Sequence, residues 1–333
     1  MDKNKSAKLQ NNVEPEASKI RIDILDNNEK LSYIMERIRD AGFAVYAVGG
    51  CVRDALLGIV PGDFDIASSA SWETISELFP TTKKLGEQFG TFGTVRIVHE
   101  GFSADAATFR TETGYSDFRR PDKIHFTGDI SKDLERRDFT INAMAYNRWE
   151  GLIDIFGGLE DLKNRKIRAV RDPEAKFSQD ALRILRAVRF SGQLDFEIEE
   201  ETHKAMKKYS YLASTIKKER VRQEIQKAIV SKAAGRVLKE YLYIGLFDYI
   251  GYIVKDKSDG ITPDEILHLS KGEISTLTQP EISAIEEVSN IIDDTKCNFD
   301  TRISLILAQM EKERSENLTR YLGLKKSRIN VQY

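Results

Sequence analysis

The amino-acid sequence predicts an α+β fold, with a mixed β-sheet flanked by helices in the N-terminal part and an all-helical remainder. Three observations carry this. Short alternating or β-branched runs separated by glycine-containing turns lie before about residue 165. From Ser178 onward apolar residues recur at helical spacing. The second half holds no strand signal comparable to those of the first.

Composition sets the outer bounds. The chain has 333 residues, 41% hydrophobic and 31% charged, enough to bury more than one domain's core. A formal net charge of -2 means that any nucleic-acid surface has to be local. The two cysteines, Cys51 and Cys297, lie far apart and form no framework of staples, which favours a reducing compartment, by default the cytoplasm. No run approaches the length of a membrane span, so no membrane partner is expected. Residues 1–22 are polar, lack an apolar signal core and read as a disordered tail.

In chain order, Leu31, Ile34, Met35 and Ile38 predict a helix over 24–41, with Gly42 as its stop. Tyr46-Ala47-Val48 reads as a short strand, Gly49-Gly50 as a bend, and 51–57 as the first turns of a helix. Ser71 is placed to cap a helix through Trp72, Ile75, Leu78 and Phe79 that Pro80 helps to end. The runs 94–98 and 102–109 form paired strands around Glu100-Gly101. A polar, charged loop follows over 110–126, and Gly151 to Gly158 marks a further turn. The first long helix of the second half begins at Asp180, and helical patterns cover 199–212, 218–230, 233–243, 280–293 and 301–322. The division between the halves falls near residues 165–172.

The chemistry concentrates in YAVGGCVRDALLGIVPGDFDIASS, Tyr46 to Ser69. Asp63 and Asp65 flank Phe64, and on a strand a period of two turns both carboxylates to one face. Asp-x-Asp alone is commonly a solvated turn. Beside a third acid on a neighbouring strand, Asp105, the pair suits a hard divalent cation such as Mg2+, which takes oxygen ligands and keeps several waters. Gly49-Gly50 with Arg53 offers backbone N–H groups and a forked cation near a helix start, an arrangement that binds phosphate.

The segment GG-x-VRD, LLG, GD-x-D resembles motif A of the class II nucleotidyltransferases, the family of tRNA CCA-adding enzymes and bacterial poly(A) polymerases. The likeness continues in order through DAATFR, RRDFTINAMAY, DIFGG, QDALRILRAVRF and ERVRQEIQKAI, covering roughly 43–246 and more weakly to 324. Several ordered motifs are far more specific than one. The resemblance implies a nucleotidyltransferase head at 23–165, a helical neck at 166–232 carrying the base template, and a short helical body at 233–333 for RNA. It implies Mg2+ held by Asp63, Asp65 and Asp105, the last standing where the family commonly has glutamate. It matches Gly50, Arg53 and Arg137 to residues that hold the incoming nucleotide, and Asp138 and Asn142 to the motif around its ribose.

The same resemblance makes Asp180 and Arg183 the amino-acid template for the base, with Arg186 and Arg189 as further nucleotide contacts. An ionised Asp only accepts hydrogen bonds and an Arg only donates them. Cytosine and adenine each present an amino donor beside a ring-nitrogen acceptor and satisfy both, whereas uracil and guanine place a carbonyl where the Asp needs a donor. Apart from the resemblance, the couple reads as a surface ion pair on a helix. Gln179 stands where the family often has glutamate. The implied activity is addition of C, C and A to the tRNA 3′ end from CTP and ATP, two metal ions assisting and pyrophosphate leaving. The full loop over 110–122, with Tyr115, Asp117, Arg119 and Arg120, favours complete CCA addition, since enzymes adding only CC typically lack a flexible loop here. CC-only or A-only addition, poly(A) synthesis and a catalytically silent RNA-binding protein are the alternatives. Lys217, Lys218, Arg220, Arg222, Lys325, Lys326 and Arg328 are basic residues that could reach RNA phosphates or simply form a solvated face. Oligomeric state is not legible.

Overall fold

The computed structural model describes residues 20–84, 93–114, 121–247, 277–294, 298–322 and 324. Almost all of the polar N-terminal stretch, the loop residues Tyr115, Asp117, Arg119 and Arg120, and the basic residues Lys325, Lys326 and Arg328 lie outside them. The chain divides into two compact units, Met1–Phe109 with Met144–Ile155, and Arg110–Ala143 with Phe156–Tyr333.

The first unit is built on a seven-stranded sheet of order β3-β4-β5-β2-β1-β8-β9. The strands are β1 (Val45–Val48), β2 (Phe64–Ser68), β3 (Lys83–Lys84), β4 (Thr94–His99), β5 (Phe102–Thr108), β8 (Ala145–Asn147) and β9 (Gly151–Ile153). All neighbours pair antiparallel except the central β2 and β5, which run parallel. The helix predicted over 24–41 is two, α1 (Asp23–Asp26) and α2 (Glu29–Asp40). The Asn28 side chain accepts from Leu31 N at 3.0 Å and starts a new helix where the apolar period alone saw one. Leu31, Ile34, Met35 and Ile38 are buried as expected, and Gly42 follows with φ +90. The Ser71 hydroxyl accepts from Thr74 N at 3.2 Å and caps α4 (Trp72–Leu78). Residues 151–153 are a strand rather than part of a turn, because Leu152 fits the buried face of the sheet edge.

The second unit is helical apart from two small ribbons. Residues 110–126, expected as a loop, contain a hairpin of β6 (Arg110–Thr113) and β7 (Lys123–Phe126). β6 is wholly polar, and although Ile124 and Phe126 alternate with Lys123 and His125 in β7, no residue of the pair is buried, so the backbone ladder supplies its order. Helices follow as α5 (Ile130–Glu135), α6 (Gly158–Lys163), α7 (Pro173–Gln179), α8 (Leu182–Leu194), α9 (Glu200–Tyr209), α10 (Lys218–Ile229), α11 (Ala234–Tyr243), α12 (Gln279–Ile291), α13 (Phe299–Leu307) and α14 (Lys312–Tyr321). The pattern over 301–322 is thus two helices, and a two-residue parallel pair, Lys166–Ile167 with Glu197–Ile198, is the strand content that the helical reading missed. Ala181, Leu182, Leu185 and Val188 are buried, with Phe177, Val221, Ile225 and Leu238 also in the core of this unit.

Close helix approach fixes one residue type outright. A Cβ on Gly235, at the start of α11, would run into the Ser289 carbonyl oxygen of α12. Backbone cannot give way as a side-chain end can, so Gly235→Ala should lower stability by about 2 kcal/mol. Urea unfolding measures this, and Gly62→Ala, whose Cβ would meet open space, is the matched control expected to stay near the parent value.

Candidate functional site

In the first unit the acids behave as a strand predicts. Asp63 and Asp65 are exposed while Phe64 and Ile66 between and beyond them are buried, although β2 itself begins only at Phe64. The parallel register sets Asp65 directly beside Asp105 of β5, with Ala104 and Ala106 turned into the core. The three carboxylates therefore share the open face of adjacent strands.

Asp105 has a second neighbour that sequence reasoning missed. Arg96 on β4 stands opposite it, and the guanidinium grips both carboxylate oxygens, Nε to Oδ1 at 2.6 Å and Nη2 to Oδ2 at 2.8 Å. Hydrogen bonding to Asp105 and its charge, and more weakly the charges of Asp63 and Asp65, hold Arg96 more firmly protonated than an isolated arginine. Among the described residues no three His, Cys, Asp or Glu side chains are gathered as a ready metal-ligand set. The expected trio is thus two exposed acids plus a third bound to arginine. Its donor chemistry, carboxylate oxygens alone, still fits a hard cation such as Mg2+.

On the other side of β2, the chain leaves β1 through Gly49, whose φ of +73 a side chain would strain, and enters α3 (Gly50–Leu56). Gly49 makes no side-chain cap. The buried Arg53 folds back towards Gly50, its Nη2 3.6 Å from where a Cβ would stand, and bonds Asp54 Oδ1 at 2.7 Å. The Cys51 thiol is buried and donates to the Val48 carbonyl at 3.2 Å.

The remaining candidates belong to the second unit. Asp133, with no exposed surface, binds Arg136 at 2.8 Å and Arg137 at 3.1 Å. Burial would push its carboxyl up, but the two guanidiniums hold it below the usual carboxylate range. Arg137 keeps a buried Nε without a hydrogen-bond partner among the described residues. Asp138 is 8% exposed and accepts from Phe139 N at 2.8 Å, Asn142 Nδ2 at 3.3 Å and both Nε and Nη2 of Arg186, at 2.7 and 2.6 Å. Burial opposes its charge, yet Arg186 outweighs that and keeps it ionised well below the ordinary range. Asp138, Asn142 and Arg186 therefore form one bonded cluster. Arg189 pairs instead with Glu224 of α10 at 2.6 Å, a partner that nothing in the local motif announces.

Asp180 is not on the helix that the sequence reading began with it. Its backbone is extended, at φ -144 and ψ 100, and its side chain accepts from Leu182 N at 3.0 Å, so it caps α8 from outside. Burial pushes its carboxyl up, against the charge of Arg183. Arg183 is only 7% exposed and makes no ion pair with Asp180; it donates to Lys176 O at 3.1 Å, Gln179 Oε1 at 3.3 Å and Arg136 O at 3.2 Å. The surface ion-pair alternative is overturned: carbonyl groups fix this guanidinium. Lys176, also missed, is buried beside it and donates to Glu135 O at 2.5 Å. Two cations thus anchor consecutive carbonyls just before Arg137 and Asp138. Carbonyl partners leave no signature in a sequence, whereas a cation on the inward face of an amphipathic helix, such as Lys176 ahead of Phe177, does give a weak one.

Residues 45–168 match the model of the poly(A) polymerase head domain, and residues 195–251 match that of the probable RNA and SrmB binding site of polymerase A. The chain is 41% identical over 300 residues to the CCA-adding enzyme of Ligilactobacillus salivarius, covering 90% of this chain and 70% of that protein. It is 47% identical over 213 residues to that of Lactobacillus delbrueckii, covering 64% and 53%. The chain thus spans little more than half the length of some of its relatives. Among solved structures it resembles the Bacillus stearothermophilus CCA-adding enzyme in complex with CTP, at 29% identity and a TM-score of 0.70, covering 91% of this chain and 67% of that one. It also resembles the Thermotoga maritima enzyme complexed with tRNA, at 26% identity and a TM-score of 0.64, covering 93% and 72%.

Burial, first, and the charge of Arg183, second, push the Lys176 amine down to about 8. Between about pH 8 and the ordinary lysine value near 10.4 the unfolded chain binds a proton that the folded chain has lost, so this group makes stability rise with pH across that window. Lys176→Met should remove about 2 kcal/mol of that rise relative to the parent, read from urea midpoints at pH 8 and 10.

Proposed function

Because the chain belongs to the family of CCA-adding enzymes and poly(A) polymerases, we propose that it adds C, C and A to the 3′ end of tRNA, taking CTP and ATP without a nucleic-acid template and releasing pyrophosphate. One observation carries the reading. The same chain holds a row of acids, the exposed Asp63 and Asp65 with the half-buried Asp105, and a buried, carbonyl-fixed Arg183 beside a helix-capping Asp180. The first set suits transfer chemistry and the second suits reading a base edge. A bulk RNA-binding surface would need neither.

Asp63, Asp65 and Asp105 would hold Mg2+, which when bound supplies activation of the RNA 3′-hydroxyl and charge for the leaving phosphate. The backbone N–H of Gly50, at the start of α3, and the guanidinium of Arg53 receive the triphosphate, while the Gly49 N–H is spent on the Met144 carbonyl. Arg137, whose side chain stays partly exposed while it pairs with Asp133, adds a contact to the nucleotide. Asp138 and Asn142 hold the ribose-facing segment in place through their bonds to each other and to Arg186, and Arg189 is set by Glu224.

Base choice falls to Asp180 and Arg183. Asp180 accepts from the amino group of cytosine or adenine, and Arg183 donates to the adjacent ring nitrogen. Three of the arginine's N–H groups are already committed to protein carbonyls, which leaves its remaining donors in a fixed direction without loss of rotamer entropy on binding. Uracil and guanine would oppose acceptor to acceptor at Asp180, a mismatch that discriminates strongly when buried. In functional terms the head spans 23–165, the neck 166–232 and the RNA-binding body 233–333. The cytoplasm is the setting proposed for the reaction. No helix of the described residues is long and apolar enough to cross a membrane.

Primer extension tests this reading. Transcripts of tRNA ending before CCA and after CC should both be completed, and an unrelated RNA should not; extension by C only, by A only, or of any RNA would select an alternative. Asp63→Ala and Asp65→Ala should each lower incorporation by at least about 100-fold while leaving the unfolding midpoint close to the parent's. With the four nucleotides supplied singly, Arg183→Ala should cut discrimination against U and G by about 100-fold, with a smaller change in KM for CTP.

A further inference from the structure

The open face of the sheet in the first unit carries one row of charge across four strands. Lys83 of β3 is paired with Arg96 of β4, Arg96 with Asp105 of β5, and Asp105 with Asp65 of β2. Asp63 extends the acid end of the row by one pleat. Two cations thus abut three acids, and the join between them is the two-pronged Arg96–Asp105 contact. Like charges directly opposite one another in a sheet are destabilising, so Lys83 drives Arg96 away from itself and towards the acids. The acids pull in the same direction, since Asp105 and then Asp63 and Asp65 all act on the guanidinium.

We propose that Arg96 is the exchangeable counter-ion of this acid row, holding Asp105 until a divalent cation takes its place. The inference rests on the reading of Asp63, Asp65 and Asp105 as the metal-holding set. Both Asp105 oxygens are engaged by Arg96, so a cation that needs this carboxylate has to compete for it. The competition is winnable. Arg96 is 45% exposed, on a long side chain that can turn into water, and exposed pairs of this kind hold weakly. Aspartate at this position has one methylene less than glutamate, and its backbone lies directly opposite that of Arg96. Short reach and opposite register together give the arginine its two-point hold, and exchange lets the row stay near neutral whether or not an ion is bound.

Mn2+ binding to the full chain, followed by the electron spin resonance signal of the free ion, tests this without reference to turnover. Arg96→Ala should bind Mn2+ about 5-fold more tightly than the parent, and Arg96→Lys, a point charge without the fork, about 2-fold more tightly. Arg96→Ala binding equally or more weakly overturns the inference. So does Arg96→Lys matching the parent while Arg96→Ala gains, because charge alone would then explain the gain without the two-point hold. The double variant Asp63→Asn, Asp65→Asn separates the two levels of the reading. If it loses Mn2+ while Arg96→Ala is silent, only the counter-ion falls. If it binds as the parent does, the ion does not sit at the acids, and the metal assignment falls with the counter-ion.

Discussion

The parallel pairing of β2 with β5 is the constraint on which the rest of the first unit depends. Every other pair in the sheet is antiparallel, whether the strands follow closely in the chain, as β4 and β5 do, or lie far apart in it, as β1 and β8 do. The parallel pair instead needs a crossover, supplied by α4, β3 and β4, and those elements line up because Ser71 caps the helix and Ile75, Val95 and Ile97 bury their side chains. Its register places Asp65 beside Asp105. A one-residue slip would turn Phe64 and Ile66 outward and the acids inward, at the cost of burying carboxylates in an apolar core. Hydrophobic burial thus polices the alignment of the charged row.

The second unit solves a different problem, that of keeping charge inside without losing its direction. Asp138 with Arg186, Asp133 with Arg136 and Arg137, and Arg189 with Glu224 are each matched through hydrogen bonds as well as charge. Removing one partner of such a pair strands the other, so these contacts specify geometry more than they add stability. Arg183 and Lys176 go further and use neutral carbonyls of residues 135, 136 and 176 as partners. A carbonyl cannot neutralise a cation. Arg183 therefore keeps its charge unpaired by these partners, as a salt-bridged arginine does not.

Much of this was legible in the sequence. Period-two alternation correctly set Asp63 and Asp65 on one exposed face, the apolar stripe of the helix after Asp180 was buried where expected, and Ser71 capped its helix. The misses share a cause, which is that their partners come from register or from backbone. Arg96 looks like any strand arginine until β4 is aligned on β5. Asp180 continues an apolar period through Ala181 and Leu182, so its extended backbone and its bond to Leu182 N are invisible to pattern reading. In the hairpin of β6 and β7 only β7 alternates polar with apolar residues, and a run of that length opposite a wholly polar strand does not stand out from a loop. Glu224 lies far along the chain from Arg189, and only the packing of α8 with α10 brings the two together.

The two groups of charges differ in the property that the tasks proposed for them require. Ions and phosphates enter and leave at each step of a transfer cycle, so a residue that faces them gains from being exposed, weakly held and replaceable. Arg96, 45% exposed and bound through a surface pair, has that character. Discrimination between bases needs the reverse, because a donor that can swing to meet a wrong partner cancels the penalty of the mismatch. Arg183, 7% exposed and tied at three points, could not follow a base placed against it as proposed. Exposure and partner type, more than residue identity, separate an arginine suited to exchange from one suited to selection. That is why two arginines in one chain can be read in opposite ways.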